Sequence, residues 1–443
     1  MVPVDLPMTY PTSDLILSET GSLVRRSILP GGVRLLTEAD RSVRSVTVGL
    51  WIPRGSRDET PEHAGSTHVL EHLLFKGTAR RSALDIATAF DEVGGESNAV
   101  TAKEHTFYYG RVRSADLPLA VDVLADMITS ASLTDESLAT EREVILEELA
   151  MAEDDPTDVG YETFLADVLG PDTPLGRPVG GTVAAVEALG VDAVRAHYAE
   201  HYRPENLVVT AVGDLDHDTL AALLAERLRA GGWELAEGAL PRPRRDGAPF
   251  AMPGGVDVDA IVPHRLERET EQTHVYLGGP GLTSTSADRQ IMSVLMAILG
   301  GGMSSRLFQN VREQRGLAYS VYSFSGGYRE AGLFGLYAAC RPARAAQVVE
   351  LMAAEVAQMA RDGVTDAEMR RALGQITGTL ALGLEDTTSR MGRLGTAELV
   401  HGRYTSVDET VERIAAVRAS DVQELAQRLA ASFTTRVDVG PAA

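Results

Sequence analysis

The chain has 443 residues, of which 44% are hydrophobic and 23% charged; this is typical of a globular protein and allows two folded domains. Its 63 acidic and 41 basic residues give a net charge of −22, which would repel nucleic-acid phosphates and anionic membranes, so we expect neither as a partner. The single cysteine, Cys340, excludes an internal disulfide and a cysteine-rich zinc site.

The N-terminal stretch, MVPVDLPMTYPTSDLILSETGSLVRRSILPGG, has no apolar core after a basic start, and its two arginines do not make a transit peptide. No run in the chain approaches the roughly 18 apolar residues that a membrane helix needs. We therefore expect a cytoplasmic protein.

The segment 65–78, GSTHVLEHLLFKGT, is expected to be a helix that begins near its first residue. On a helix, His68 and His72 lie one turn apart on one face, so both imidazoles can reach a single ion. Glu71 projects beside them, close enough to hold a water on that ion. Two neutral imidazoles suit Zn²⁺, and metal ligation would compensate three polar side chains placed among leucines. The alternative is a pair of core histidines that happen to share a face.

A later helix, 135–151, carries glutamates on two faces. At about 100° per residue, Glu143 and Glu147 lie opposite the apolar stripe, whereas Glu141 and Glu148 lie on its flank, two turns apart. Two carboxylates directed inward would attract a cation. The alternative is that both sit at the boundary of the core and reach water.

A second histidine pair provides a comparison. His197 and His201, in HYAEH, also have the one-turn spacing, but they precede a strand-like run at 206–213 and no acidic partner points to them. We interpret this pair as structural. A histidine pair by itself is weak evidence for a metal, so the first pair needs a third ligand.

The segment 238–255, GALPRPRRDGAPFAMPGG, is rich in Pro, Gly and Arg and is interpreted as a linker. It separates an N-terminal domain, 1–237, from a C-terminal domain, 256–443. Both halves contain strand-like runs, at 45–52, 206–213 and 274–279, and helical periodicity, at 115–131, 135–151, 343–361 and 366–383.

The two halves resemble each other. SLTDESLATEREVI (132–145) matches GVTDAEMRRALGQI (363–376) at an offset of 231 residues, and in each copy Thr-Asp stands where a helix N-cap is expected. A duplicated α+β unit is the simplest explanation, with two similar lobes and a cleft or chamber between them. Adding the offset to His68, Glu71, His72 and Glu148 gives Leu299, Gly302, Met303 and Thr379, none of which can hold a metal. The first half should therefore carry the chemistry.

HVLEH is the inverted zinc motif H-x-x-E-H of the inverzincins. With GGESNAVTAKEHTFYYG, EREVILEEL, HYRPENLVVTAVGDL and GGGMSSRLFQNVREQRGLAYSVYS, the chain resembles the M16 metallopeptidases, most closely the mitochondrial processing peptidase-like subfamily and its bacterial relatives. The resemblance implies an α+β fold in which two homologous lobes, each a mainly antiparallel β-sheet packed with helices, enclose a chamber like a clamshell.

The resemblance also assigns roles to five residues. His68, His72 and Glu148 would bind one Zn²⁺, since the family pattern places the third ligand 76 residues after the second histidine. Glu71 would be the general base that activates a zinc-bound water. Glu141 matches an acid that orients a ligand or assists the water; packing of the helix is the alternative role.

Further residues match substrate-binding positions of the family. Asn98 and Ala99 match an edge strand to which a peptide substrate adds as a further strand; an ordinary edge strand is the alternative. Arg312 and Tyr319 in the second half match an Arg–Tyr pair that assists near the scissile carbonyl. Without the resemblance, Arg312 would be read as a surface ion-pair residue.

An acidic run, EDDPTD, follows the second ligand helix at 153–158. Asp158 and Glu162 are the nearest candidates for reading basic residues of a substrate, although Pro156 departs from the mitochondrial pattern. A solvated acidic loop is the alternative.

The expected function is that of a zinc-dependent endopeptidase acting on short or unfolded peptides, or on presequence-like segments, in a closed chamber. Family members of this length usually form dimers, so we expect a homodimer. Two alternatives remain open: a non-catalytic subunit, and a subunit that needs a partner to complete the chamber.

Overall fold

The computed structural model describes residues 3–9, 15–19, 22–247, 255 and 257–442, and within 15–19 only the backbone. Two units can be distinguished. The first comprises Met1–Leu149, Arg177–Arg245 and Leu382–Val407, and the second comprises Ala150–Gly176, Asp246–Ala381 and Asp408–Ala443.

The strands of the described residues are β1 (Val4–Asp5), β2 (Leu15–Glu19), β3 (Ser22–Leu29), β4 (Val33–Ala39), β5 (Ser45–Ile52), β6 (Glu96–Thr101), β7 (Thr106–Arg113), β8 (Val208–Gly213), β9 (His264–Glu267), β10 (Thr273–Pro280), β11 (Ala318–Gly327), β12 (Gly332–Cys340), β13 (Arg403–Tyr404) and β14 (Thr435–Gly440). The strand-like runs expected at 45–52, 206–213 and 274–279 correspond to β5, β8 and β10 and are confirmed.

The α-helices of the described residues are α1 (Ser66–Leu74), α2 (Ala83–Asp91), α3 (Leu117–Ser130), α4 (Asp135–Asp154), α5 (Pro156–Leu169), α6 (Val183–Ala188), α7 (Val191–His201), α8 (His217–Ala230), α9 (Arg289–Gly300), α10 (Ala345–Asp362), α11 (Asp366–Gly383), α12 (Thr387–Thr396), α13 (Val407–Ala415) and α14 (Ala419–Ala430). The helices expected from periodicity correspond to α3, α4, α10 and α11 and are confirmed.

The first unit contains a sheet in the order β2-β3-β4-β8-β5-β7-β6, in which β4 pairs with β8 in parallel and the other pairs are antiparallel. Strand β6 lies at the edge. Strand β8, VVTAVG, lies at the centre of the sheet and all its residues are buried, as expected for a strand covered on both faces.

The second unit contains a sheet in the order β11-β12-β10-β14-β9, again with one parallel pair, β14 and β9. The places of β4, β5, β6, β7 and β8 in the first sheet are taken in the second sheet by β9, β10, β11, β12 and β14, in that order. The first sheet has β2 and β3 in addition. The duplication expected from the sequence is thus present in the strand order. A mainly antiparallel α+β fold in each half is confirmed.

The repeat is closest in the helices that carry the matching motif. Helices α4 and α11 begin at Asp135 and Asp366, and the preceding threonines accept backbone N–H groups, Ser137 to Thr134 at 3.1 Å and Glu368 to Thr365 at 3.3 Å. The predicted N-caps are therefore confirmed.

Each sheet is covered by helices on both faces. In the first unit, α1, α3, α7 and α8 bury one face, and α12 packs against the other with Met391 and Leu394. Gly395 lets α12 approach closely, because a Cβ there would lie 2.5 Å from the Trp51 ring. In the second unit, α9, α10 and α14 cover one face and α5 the other.

The predicted domain boundaries, 1–237 and 256–443, differ from those of the two units. The main break, between Arg245 and Asp246, falls inside the predicted linker, but 150–176 belongs to the second unit and 382–407 to the first. The two halves thus exchange a helix: α12 from the second half covers one face of the first sheet, and α5 from the first half covers one face of the second sheet. The exchange includes buried ion pairs, since Arg390 of α12 contacts Glu38 at 2.8 Å and Asp40 at 2.6 Å.

The acidic run 153–158 spans the end of α4 and the start of α5; its acidic side chains are exposed, as the alternative expected, but they lie on two helices and their junction rather than in a loop. Asp155 caps α5 by accepting the Thr157 N–H at 2.7 Å, and Pro156 occupies the first helical turn, where its missing N–H costs nothing.

Within the described residues, no helix is both long enough and apolar enough to cross a membrane.

Candidate metal centre

Helix α1 presents its polar side chains on one face because the opposite face is held in the core. Val69, Leu70 and Leu73 are buried, whereas His68, Glu71 and His72 are only partly buried and lie on the free face. The helix and the one-turn pairing predicted from the sequence are confirmed.

The N-terminal end of α1 is held by a residue outside the helix. Gly65 has φ +94°, and a Cβ at this position would lie 2.7 Å from the Gly180 carbonyl oxygen, so the residue before the helix has no side chain to cap it. The carboxylate of Glu59 replaces that cap and accepts the N–H groups of Gly65 at 2.8 Å and Thr67 at 2.7 Å. Its position relative to α1 gave no recognisable signal in the sequence.

Glu148 of α4 meets the histidine pair. Its Oε2 lies 3.8 Å from His68 Nε2 and 3.6 Å from His72 Nε2, and the two imidazole centroids are 4.7 Å apart. One ligand atom from each of the three residues falls within 4.8 Å of the others. The Glu148 side chain is 47% exposed, so it faces open space rather than the protein interior.

These donors fit zinc. Tetrahedral coordination at about 2.1 Å separates ligand atoms by about 3.4 Å, close to the separations that Glu148 makes with both imidazoles. Burial, together with the neighbouring His72, lowers the pKa of His68 to about 4, so this imidazole is neutral at physiological pH, as a ligand must be. In the described part of the chain, this is the one cluster of three or more residues that could hold a metal.

Glu141 lies beneath His72. Its side chain is 3% exposed, and its Oε2 is 3.0 Å from Nδ1 of His72, while its Oε1 is 2.7 Å from Nζ of Lys76. Of the two glutamates predicted to point inward, only Glu141 is buried, and it contacts His72 on the side away from Glu148. The role of Glu141 in orienting a ligand stays a prediction, and its contact with Nδ1 of His72 is compatible with it.

Glu71 has a different environment from Glu148. Burial raises the pKa of its carboxyl above the ordinary value, and the nearby Glu148 acts in the same direction. The hydroxyl of Thr101, at the end of β6, donates a hydrogen bond to Glu71 Oε2. Sequence reasoning missed Thr101, which lies 30 residues away and forms no recognisable motif with Glu71.

The ligands line a cavity of about 500 Å³ in the first unit. Its walls come from α1, α2, β6 and α4, and are formed by His68, Glu71, His72, Phe75, Lys76, Ala83, Ile86, Ala87, Ser97, Asn98, Glu141 and Glu148. A cavity of this size can accommodate a segment of a peptide, and one side of the cavity is apolar.

Asn98 and Ala99 lie on β6, at the edge of the sheet, as expected. Asn98 lines the cavity and its Oδ1 accepts the Ala99 N–H at 2.8 Å, whereas the Ala99 side chain is buried in the core. Any contact of Ala99 with a ligand would therefore be through its backbone.

The remaining predicted residues belong to the second unit. Asp158 and Glu162 lie on α5, so they are not part of the unit that carries the metal ligands. The Arg312 guanidinium lies 4.7 Å from the Phe308 ring centroid and 4.6 Å from that of Tyr319, and Nη1 donates to the Tyr319 carbonyl at 2.7 Å. Arg312 is thus held by local contacts, and the role assigned to this pair stays a prediction.

The counterpart of α1 in the second unit, α9, carries no residue that could bind a metal. Helix α9, which follows β10 as α1 follows β5, reads RQIMSVLMAILG and contains no histidine, cysteine, aspartate or glutamate. The expectation that the first half alone carries the ligands agrees with this sequence.

Two family models match most of the chain. Residues 34–183 match the insulinase (peptidase family M16) domain, and residues 188–376 match the peptidase M16 inactive domain. The chain belongs to peptidase family M16. The H-x-x-E-H motif lies in the first of these M16 domains, and the helix without ligands lies in the second.

Similar M16 proteins cover nearly the whole chain. An uncharacterized zinc protease of Streptomyces coelicolor is 48% identical over 97% of this chain and 92% of that protein. One from Mycobacterium tuberculosis is 45% identical over 94% and 93%, and one from Bacillus subtilis is 36% identical over 92% and 96%.

Solved structures share the M16 fold at low sequence identity. A peptidase M16 inactive domain from Pseudomonas fluorescens matches with a TM-score of 0.84 at 20% identity, covering 95% of this chain and 98% of that one. A protease from Helicobacter pylori matches with a TM-score of 0.82 at 20% identity, covering 94% and 99%.

Proposed function

We propose that this M16 protein is a zinc-dependent endopeptidase that cleaves short or unfolded peptides. The observation that carries the proposal is the meeting of Glu148 with His68 and His72 beside the desolvated carboxyl of Glu71, all on one cavity wall. Relatives that are named zinc proteases and align over almost the full chain support it.

His68, His72 and Glu148 would hold the metal. A zinc ion bound there supplies Lewis acidity and lowers the pKa of a coordinated water. Glu71 is suited to accept a proton from the attacking water and return it to the leaving amine, because its carboxylate is partly buried and lies on the same helix face. The Thr101 hydrogen bond holds one of its oxygens and so restricts its rotamer.

Substrate binding is proposed at the free edge of β6. The strand borders the cavity through Ser97 and Asn98, and within the described residues no strand pairs with its outer edge, where an extended peptide could add. This mode reads the backbone, which agrees with action on unfolded segments. The homodimer, the chamber and the preference for basic peptides, with Asp158 and Glu162 as their readers, stay predictions.

The deciding experiment combines zinc analysis with cleavage of an internally quenched basic peptide of about a dozen residues. Glu71→Gln should retain one zinc per chain and lose cleavage by at least about a hundredfold, because general-base catalysis contributes on this scale. Glu147→Gln is the matched control: it removes an exposed glutamate of α4 and should cleave like the wild type.

The other outcomes separate the alternatives. Zinc in the wild type without cleavage in any variant would favour a non-catalytic subunit, or one that needs a partner. No zinc in the wild type after addition of the metal would contradict the proposal.

A further inference from the structure

Lysine is rare in this chain. Of the 41 basic residues, 39 are arginines, and the two lysines are Lys76 and Lys103. Lys103 is buried and donates to the Arg177 carbonyl at 2.7 Å. Lys76 lies beside the metal ligands, two residues after the end of α1, and lines the cavity.

Lys76, Glu141 and His72 form a continuous chain of contacts. The ammonium lies 2.7 Å from Oε1 of Glu141, and Oε2 of the same carboxylate lies 3.0 Å from Nδ1 of His72. The Glu141 side chain is 3% exposed, whereas that of Lys76 is 37% exposed. A carboxylate this deeply buried requires compensation, and Lys76 is the cation that contacts it.

The two histidines differ in whether their Nδ1 atom has a hydrogen-bond partner. Nδ1 of His72 has Glu141 as its partner, whereas Nδ1 of His68 is buried and, within the described residues, makes no hydrogen bond. The orientation of the His68 ring is therefore set by packing. Nδ1 of His72 contacts Glu141, and Glu141 in turn contacts Lys76.

We propose that Lys76 is a positioning residue for the metal centre: by binding one oxygen of Glu141, it directs the other at Nδ1 of His72 and leaves Nε2 of His72 for the metal. The proposal rests on the zinc site of the proposed function. A carboxylate that accepts from Nδ1–H selects the tautomer whose Nε2 has a free lone pair. Nε2 is the atom that faces Glu148.

A purely structural ion pair would behave differently. Lys76→Met would then change stability but not the affinity for zinc, and its effect would not depend on Glu141. A positioning role predicts an effect on zinc affinity that disappears when Glu141 is already replaced, because the lysine acts only through that carboxylate.

The experiment measures zinc dissociation constants by competition with a chromogenic chelator. The variants are Lys76→Met, Glu141→Gln, the double variant, and Lys76→Arg, which keeps a cationic donor. Lys103→Met is the matched control because it removes the other lysine of the chain. A second readout, ¹⁵N spectra of histidine-labelled, metal-free protein, reports the tautomer of His72 without any catalytic assay.

We expect Lys76→Met to weaken zinc binding by about tenfold or more, within the 10- to 100-fold range typical of residues that orient a ligand. The double variant should bind zinc like Glu141→Gln alone, Lys76→Arg should bind more tightly than Lys76→Met, and Lys103→Met should bind like the wild type. His72 should carry its proton on Nδ1 in the wild type and lose this preference in Lys76→Met.

Wild-type protein that binds zinc tightly, with unchanged affinity in Lys76→Met, would overturn the role of Lys76 and leave the proposed function standing. The role of Lys76 would also be overturned if the losses of zinc affinity in Lys76→Met and Glu141→Gln added up in the double variant. Wild-type protein that binds no zinc would overturn both proposals.

Discussion

At the scale of single residues, two histidine pairs with the same spacing have different neighbours. The imidazole centroids are 4.7 Å apart for His68 and His72 and 4.5 Å apart for His197 and His201. The first pair meets Glu148, which completes a possible metal site. Burial lowers the pKa of both imidazoles of the second pair to about 4; His201 adds to this effect at His197 and Arg54 adds to it at His201, while Asp58 opposes it at both. Spacing alone could not separate the pairs, because the deciding charges come from elsewhere in the chain.

The second pair predicts how stability depends on pH. Burial, followed by Arg54, lowers the pKa of His201 to about 4, against about 6.5 in an unfolded chain. Between these values the unfolded chain binds a proton that the folded protein does not, so stability should fall as the pH falls from 6.5 to 4. In His201→Gln, the loss between pH 7 and pH 4.5 should be smaller by on the order of 1–2 kcal/mol.

Urea unfolding at both pH values measures this difference. His63→Gln, which changes an exposed histidine, is the control and should lose stability as the wild type does. An unchanged loss in His201→Gln would show that this imidazole does not contribute.

At the scale of elements, helix α1 is held by its apolar face and at its first turn. Its apolar face lies in the core of the first unit, while Glu59 accepts two N–H groups that the helix cannot satisfy itself. The periodicity of the sequence predicts which face is buried. The cap lies before the helix and is separated from it by a short 3₁₀ turn, Pro61–His63, so no local motif reveals it.

Glu59→Ala should destabilise the protein by about 1–3 kcal/mol, since two buried N–H groups lose their acceptor. Because burial raises the pKa of this carboxyl to about 7, the comparison belongs at pH 8, where Glu59 is ionised and both bonds form. Denaturant unfolding measures the change. Glu62→Ala, three residues away and exposed, should stay within about 0.5 kcal/mol of the wild type, and an equal loss in both variants would contradict the capping role.

At the scale of the whole molecule, the chain is a duplicated unit with an exchanged segment in each copy. Helices α5 and α12 begin at Pro156 and Thr387, again 231 residues apart, and each belongs to the unit built mainly from the other half. The exchange buries apolar residues and the Arg390 ion pairs. Neither half of the sequence therefore contains a complete unit.

A fragment of residues 1–245 should fail to fold cooperatively. It lacks 382–407, which covers one sheet face and compensates buried Glu38, and an uncompensated buried carboxylate alone costs about 3–5 kcal/mol. Co-expression with residues 246–443 should restore folding, because the two fragments together contain every segment. Circular dichroism melting and limited proteolysis measure both outcomes, and a cooperative transition in 1–245 alone would contradict the prediction.

The sequence by itself determined the features that depend on local periodicity and spacing. The metal helix, the inward placement of Glu141 on α4, the threonine caps and the duplication can all be recognised this way, because residues on one helix face recur at a fixed interval. The assignment of Glu148 rather than Glu141 as the third ligand came only from the resemblance to a family.

Only the tertiary structure decided the features that arise between distant segments. Four features join elements that are separate in the sequence: Thr101 beside Glu71, Lys76 beside Glu141, Glu59 at the start of α1, and the exchange of α5 and α12. Such contacts depend on how strands are ordered in a sheet and on which helix covers each face, and a sheet accepts any helix of suitable apolar face and length. That choice is made by packing over the whole molecule, so no local pattern records it.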